Sequence, residues 1–192
     1  MTAGSRGAPG ELSAAELQRL RRVADRDEIR QLAYRYAWEV DRRDLAGVAD
    51  LFVPDVRTTD GVGRPALARQ LRSGMDDVGV TILFVGNHLI DFDEEDGDRA
   101  RGLVYCRAYI DVRDRPEGSR SVEQAILYRD RYRRHEGRSR FVARQHELWY
   151  GVETAERPFA QHDADWPQHH DGVGTVPYGE ASWQTFWSDR PT

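Results

Sequence analysis

The chain has 192 residues, 39% of them hydrophobic and 32% charged, with a formal net charge of -5, which fits one domain with a substantial core and a tail rather than two full domains. A single cysteine, Cys106, rules out an intramolecular disulfide and argues against a thiolate zinc cluster. The complete absence of lysine rules out a Schiff-base lysine and lysine-anchored pyridoxal phosphate, and scattered arginines in an acidic chain argue against a nucleic-acid partner.

Residues 1–11 read as a loose leader. Ser13 followed by Glu16 is a capping box, flanked by Leu12 and Leu17 as a hydrophobic staple, and predicts a short helix to about Ala24. Asp25 followed by Glu28 repeats the capping signal and predicts a second, longer helix whose apolar positions are Ile29, Leu32, Ala33, Tyr36, Ala37 and Val40. Asp44 opens another helix through Phe52, stopped near Pro54. A short strand near Val56 and a small helix after Pro65 follow.

Beyond Val80 the texture changes to strands. Residues 80–93 end at an acidic turn, and residues 99–113 alternate, with Val104, Cys106, Ala108, Ile110 and Val112 on one face and Tyr105, Arg107, Tyr109 and Asp111 on the other. Residues 120–134 and 139–152 form two more strands around a HEGR turn. Short connections make an antiparallel meander, and helices followed by strands predict an α+β fold, a cone of N-terminal helices packed on a curved, mainly antiparallel sheet. The domain division expected is residues 1–24 as leader and short helix, 25–152 as the domain, and 153–192 as a tail. That tail is polar and patternless but carries Trp166, Tyr178, Trp183, Phe186 and Trp187, which read as anchors for docking, as a lid or at an oligomer contact.

The stretches DEIRQLAYRYAWEVDRRDLAGVADLFVPD, GNHLIDFDEEDGDRARGLVYCRA and YRDRYRRHEGRSRFVARQHELWYG together resemble the SnoaL-like branch of the nuclear transport factor 2-like superfamily, over roughly residues 25–152. The resemblance implies the cone fold and a pocket for a small apolar ligand. It also implies membership of a group that contains cofactor-independent dehydratases, isomerases, cyclases and dehydrochlorinases alongside proteins that only bind or serve as structural subunits.

On this resemblance Asp41 matches the acidic residue of family dehydratases similar to scytalone dehydratase and the bile-acid dehydratase. There it would take a proton from carbon or hold a histidine; otherwise it is a helix-terminal carboxylate paired with Arg42 or Arg43. Tyr36 matches a tyrosine of the bile-acid dehydratase and would polarise a carbonyl, unless it is only a core aromatic. Many family dehydratases carry a histidine where this chain has Leu83 and Phe84. His88, from a shifted register, and His146 are the substitutes, but Asn87 and His88 face the same way only if a bulge intervenes. Asn87, Arg107, Tyr34, Trp38, Tyr105 and Tyr109 are candidates for substrate contact, with a surface cation or a cross-strand ion pair as the simpler account of Arg107. His162, His169 and His170 with Asp163 and Asp165 have no strong ligand spacing, the acidic turn at 93–98 lacks a calcium-loop pattern, and no phosphate-cradling glycine loop is present, so neither metal nor cofactor is expected.

The expected activity is a cofactor-free dehydratase or isomerase abstracting a proton next to a carbonyl in a small hydrophobic, polyketide- or steroid-like substrate. The alternatives are a non-catalytic ligand-binding or partner-subunit protein, or a cyclase or hydrolase using the same pocket. A homo-oligomer, dimer or trimer, is expected, with no membrane or nucleic-acid partner. No apolar run long enough to span a bilayer occurs, and MTAGSRGAPGELS lacks a signal's apolar stretch, so a cytoplasmic location is expected.

Overall fold

The first helix, α1 (Ala14–Asp41), is capped as its sequence prescribes: the Glu16 amide donates to Ser13 Oγ and the Ser13 amide donates to Glu16 Oε2 at 2.8 Å. The computed structural model describes residues 12–112, 120–154, 177 and 179–189. α1 is one helix of 28 residues, about 42 Å long, where two capping signals predict two helices. At Asp25 the backbone amides already have partners one turn back, so a cap gains nothing. The two carboxylates are recruited elsewhere: Asp25 pairs with Arg134 and Glu28 accepts from Ser139 Oγ at 2.9 Å. Ile29, Leu32, Ala33, Ala37 and Val40 form the buried stripe.

α2 (Leu45–Asp50) is capped by Asp44, whose Oδ1 accepts from the Gly47 amide at 2.7 Å. The chain then runs beside the last long strand, with the Val53 amide donating to the Phe141 carbonyl at 2.9 Å and the Phe141 amide to the Leu51 carbonyl at 3.0 Å. This contact covers part of an otherwise open sheet edge. In place of the single strand expected near Val56 lies a miniature hairpin, β1 (Arg57–Thr58) with β2 (Gly61–Val62), followed by α3 (Arg64–Gly74).

The four long strands β3 (Val78–Phe92), β4 (Arg99–Val112), β5 (Arg120–His135) and β6 (Arg138–Thr154) pair antiparallel in chain order. Val104, Cys106 and Ala108 of β4 lie on the buried face, opposite Tyr128, Ile126 and Gln124 of β5. With helices on one side of a curved meander, the architecture is the α+β cone. The meander is not regular: it carries register shifts between Val85 and His88, between Ala125 and Ile126, and between Arg131 and Tyr132. Each changes which residues point inward.

The C-terminal segment holds an element that its composition does not announce, α4 (Ala181–Ser188), with Trp183 and Phe186 buried. Ser182 Oγ donates to the Arg42 carbonyl at 2.7 Å, which seats α4 on the end of α1. Trp166 and Tyr178 lie outside the described residues.

Candidate functional site

Asp41 is the last residue of α1, and its side chain turns back onto β3. Thr81 Oγ1 donates to Asp41 Oδ1 at 2.8 Å, and the Leu83 amide donates to Oδ2 at 3.0 Å. Burial pushes the carboxyl up to about 6; the two donors and the Arg43 guanidinium pull the other way and do not prevail. Two residues on, Arg43 adopts a left-handed backbone at φ 62° that β-carbon-bearing residues rarely take. The reversal lets its guanidinium reach the Val40 carbonyl at 2.6 Å, Thr81 Oγ1 at 2.9 Å and the Gly79 carbonyl. Arg43 is 2% exposed, and burial lowers its pKa to about 10. Among the described residues no histidine bonds to Asp41; the backbone of Leu83 stands beside it instead.

A bulge does interrupt β3 before His88, but it does not bring Asn87 and His88 to one face. Val85 pairs with Cys106 and His88 with Val104, three steps on β3 against two on β4. The extra residue places Val85 and His88 on the same inner face and leaves Gly86 and Asn87 exposed. His88 joins a buried polar chain. Its Nε2 lies 3.0 Å from Tyr132 Oη, and Tyr132 Oη donates to Asp130 Oδ2 at 2.7 Å. Asp130 is held from its other side by Arg144, through Nε to Oδ1 at 2.9 Å and Nη2 to Oδ2 at 2.8 Å. Since Tyr132 gives its proton to Asp130, His88 must donate through Nε2–H, which leaves Nδ1 as a buried acceptor without a partner. Burial lowers the imidazole pKa to about 4, so the ring is neutral. Gly102 makes the arrangement possible: a Cβ there would lie 2.8 Å from Tyr132 Oη and 3.0 Å from His88 Nε2.

Arg144 connects this chain to Tyr36. Its guanidinium carbon lies 4.4 Å from the Tyr36 ring centroid, 4.3 Å from Tyr128 and 4.6 Å from Phe141, a cation boxed by aromatic faces. Burial works against its charge, but Asp130 holds its pKa above the ordinary value. Nε and Nη2 are both spent on Asp130. Burial raises the Tyr36 hydroxyl against the pull of Arg144, so it stays protonated and can donate. Cys106 feels both Asp41 and Arg144; burial raises its thiol to about 11, which keeps it neutral and a poor nucleophile.

The remaining sequence candidates lie elsewhere. His146 follows Arg144 on the same face and stands 5.7 Å from the Tyr128 ring, but it is exposed. Arg107 is on the outer face, paired with Glu123 at 2.5 Å and 5.2 Å from the Tyr109 ring. Tyr105 packs edge-on against Trp149 at 5.1 Å and Tyr109 against Phe84 at 6.0 Å, also on the outer face. Tyr34 and Trp38 are exposed on α1. The structure therefore brings Asp41, Tyr36 and His88 inside the cone and sets the others outside it or at its rim. Sequence reasoning missed Asp130, Tyr132, Thr81 and Arg144, and named Arg43 only as a salt-bridge partner for a helix-terminal Asp41. The available signal was Asp130 within YRDRYRR: an acid at strand positions alternating with Tyr128 and Tyr132 faces inward with them. Among the described residues no three metal-ligating side chains converge. His162, Asp163, Asp165, His169 and His170 lie outside the described residues.

A family model described as a SnoaL-like domain matches residues 21–145. No curated protein matches the chain. Among solved structures, it is similar to a type 3 hexachlorocyclohexane dehydrochlorinase from Novosphingobium barchaimii, at 21% identity over 71% of this chain and 94% of that one, with a TM-score of 0.63. It is also similar to a nuclear transport factor 2-like protein with a cystatin-like fold from Novosphingobium aromaticivorans, at 27% identity over 73% of this chain and 92% of that one, with a TM-score of 0.56.

Proposed function

Because the chain belongs to the SnoaL-like family, within which cofactor-independent catalysis occurs, we propose that it is a cofactor-free lyase or isomerase acting by proton transfer at carbon. The observation that carries the reading is Asp41: a largely buried carboxyl, oriented by two donors, with a pKa of about 6. A base poised near working pH combines a useful ionised fraction with enough basicity to take a proton from a carbon acid. Asp41 would remove the proton next to a substrate carbonyl, and the C–H electron pair would pass into an enolate. Tyr36 Oη would donate to the oxygen as its charge grows. The proton on Asp41 would then go to a departing β-hydroxyl, releasing water, or to the γ-carbon, shifting the double bond. One carboxyl serves as base and then acid, so the cycle balances without a histidine partner.

The substrate class that fits is a small apolar β-hydroxy carbonyl or enone of polyketide- or steroid-like character. Asp41→Asn, assayed by proton NMR on a panel of β-hydroxy ketones, is expected to lower turnover about 10²–10⁴-fold; full turnover by this variant on a confirmed substrate removes the reading. A second reading, a ligand-binding protein, is favoured by the absence of a histidine among Asp41's described partners. Under it the same panel binds and is recovered unchanged. A cytoplasmic homo-oligomer remains part of the proposal.

A further inference from the structure

We propose that the C-terminal helix α4 is a working part of the Asp41 site, with Trp183 and Arg43 as positioning residues that keep the carboxyl dry and correctly aimed. The inference rests on the reading of Asp41 as the proton-transfer group, and it assigns that group's environment to a segment remote in sequence.

The contacts form one continuous chain. Asp41 is held by Thr81, and the same Thr81 oxygen accepts from Arg43 Nη1. Arg43 is fixed by the carbonyls of Val40, Val78 and Gly79. Its guanidinium carbon lies 5.1 Å from the Trp183 ring centroid and 5.9 Å from that of Phe186, so α4 roofs it with aromatic surface. Two anchors hold the roof: Ser182 Oγ on the Arg42 carbonyl, and Phe186 under the Arg72 guanidinium at 4.0 Å.

Nothing local explains this Arg43. Its left-handed backbone is strained for a non-glycine residue, and its Nε is buried without a partner. A surface arginine would hydrate its Nε by swinging into water. It is retained where the buried guanidinium, through Thr81, fixes the direction in which the Asp41 oxygens point. If α4 leaves, water reaches Arg43, the Thr81 bridge loosens, and Asp41 becomes an ordinary hydrated carboxylate. Among the described residues, the charged or titratable groups acting on Asp41 are Arg43, from the turn after α1, and Cys106, from β4; β3 contributes the neutral donors Thr81 and Leu83, and α4 faces Arg43 with uncharged rings.

The test is a carbon-13 NMR titration of the Asp41 carboxyl in the full chain, which needs no substrate. In Trp183→Ala the midpoint is expected to fall by at least about one pH unit, because dehydration is the largest influence holding it up. Trp183→Phe, which keeps a ring over the guanidinium, is expected to restore most of it. Thr81→Val, close in shape to threonine, removes a donor that favours the ionised form and is expected to move the midpoint upward, opposite to Trp183→Ala. A folded Trp183→Ala with the wild-type midpoint overturns the proposal. If that variant does not fold, an unmoved midpoint in Thr81→Val overturns it. Loss of the catalytic reading is separately visible, as full turnover by Asp41→Asn with the titration unchanged in the wild type.

Discussion

Asp41 and His88 respond to pH in opposite directions, and the sum of their effects hides both. Asp41 holds its proton more tightly in the folded chain, at about 6 against an ordinary 3.8. Its neutral form therefore adds stability that is complete below pH 3.8 and lost as pH rises through about 6. His88 holds its proton less tightly in the folded chain, at about 4 against 6.5. Its neutral ring adds stability that is complete above pH 6.5 and lost as pH falls through about 4. At about 1.36 kcal/mol per pH unit, each contribution spans at most roughly 3 kcal/mol, and the two largely offset in the wild type. Asp41→Asn removes one of them. Its unfolding free energy relative to wild type is expected to rise by roughly 3 kcal/mol between about pH 4 and 7, a gain of roughly 6–12 °C in Tm for a chain of this size. His88→Gln is expected to show the reverse trend, its relative stability falling by a similar amount over the same interval. Urea unfolding at half-unit pH steps measures both differences, and the other carboxylates cancel in each comparison. A relative stability of Asp41→Asn that stays constant within about 0.5 kcal/mol across the interval refutes the reasoning, since that is the scatter of an ordinary surface substitution.

The Asp130–Arg144 pair predicts strong coupling. Asp130→Asn alone is expected to cost about 3–5 kcal/mol in urea unfolding because it strands a buried guanidinium, whereas Asp130→Leu with Arg144→Met recovers most of that loss. A single-variant cost below about 1 kcal/mol, typical of exposed pairs, would place the pair in water. Gly102→Ala is expected to destabilise by about 1–3 kcal/mol through overpacking and to break the His88–Tyr132 bond, read as a changed nitrogen-15 signature of the His88 ring. Ser13→Ala is expected to cost about 1 kcal/mol by unfastening the start of α1, measured by thermal melting.

Local rules made the cone legible. The α1 stripe from Ile29 to Val40, the β4 alternation from Val104 to Ala108, and the turns between the long strands each repeat with the period of their element. Asp41 was legible by resemblance because it ends a helix whose length sets where it points. The polar chain was legible only on β5, where Asp130 alternates with Tyr128 and Tyr132; its other members were hidden, because strand alternation predicts facing only while the register holds. Val85 and His88, three apart, face inward together across one bulge, and Phe141 and Arg144, also three apart, share a face across another. Similarly, Asp25 and Glu28 carry a capping pattern that helix continuity leaves unused. Arg43 contacts Trp183 across 140 residues of chain, a distance over which no spacing rule operates.

The extra residue at Gly86–Asn87 has a consequence for how such a site can change over time. The bulge absorbs that residue, so His88, three residues beyond Val85, faces as a residue two beyond would in an unbroken strand. A one-residue deletion there would return β3 to an unbroken two-residue rhythm with the imidazole two positions beyond Val85, still opposite Val104 and facing Tyr132, while residues 78–85 stayed in place. A substitution at His88 explores only what can stand inside the cone. A single residue gained or lost at this step is taken up as a bulge or its removal, so the strand tolerates a change of length while the imidazole keeps its place inside the cone.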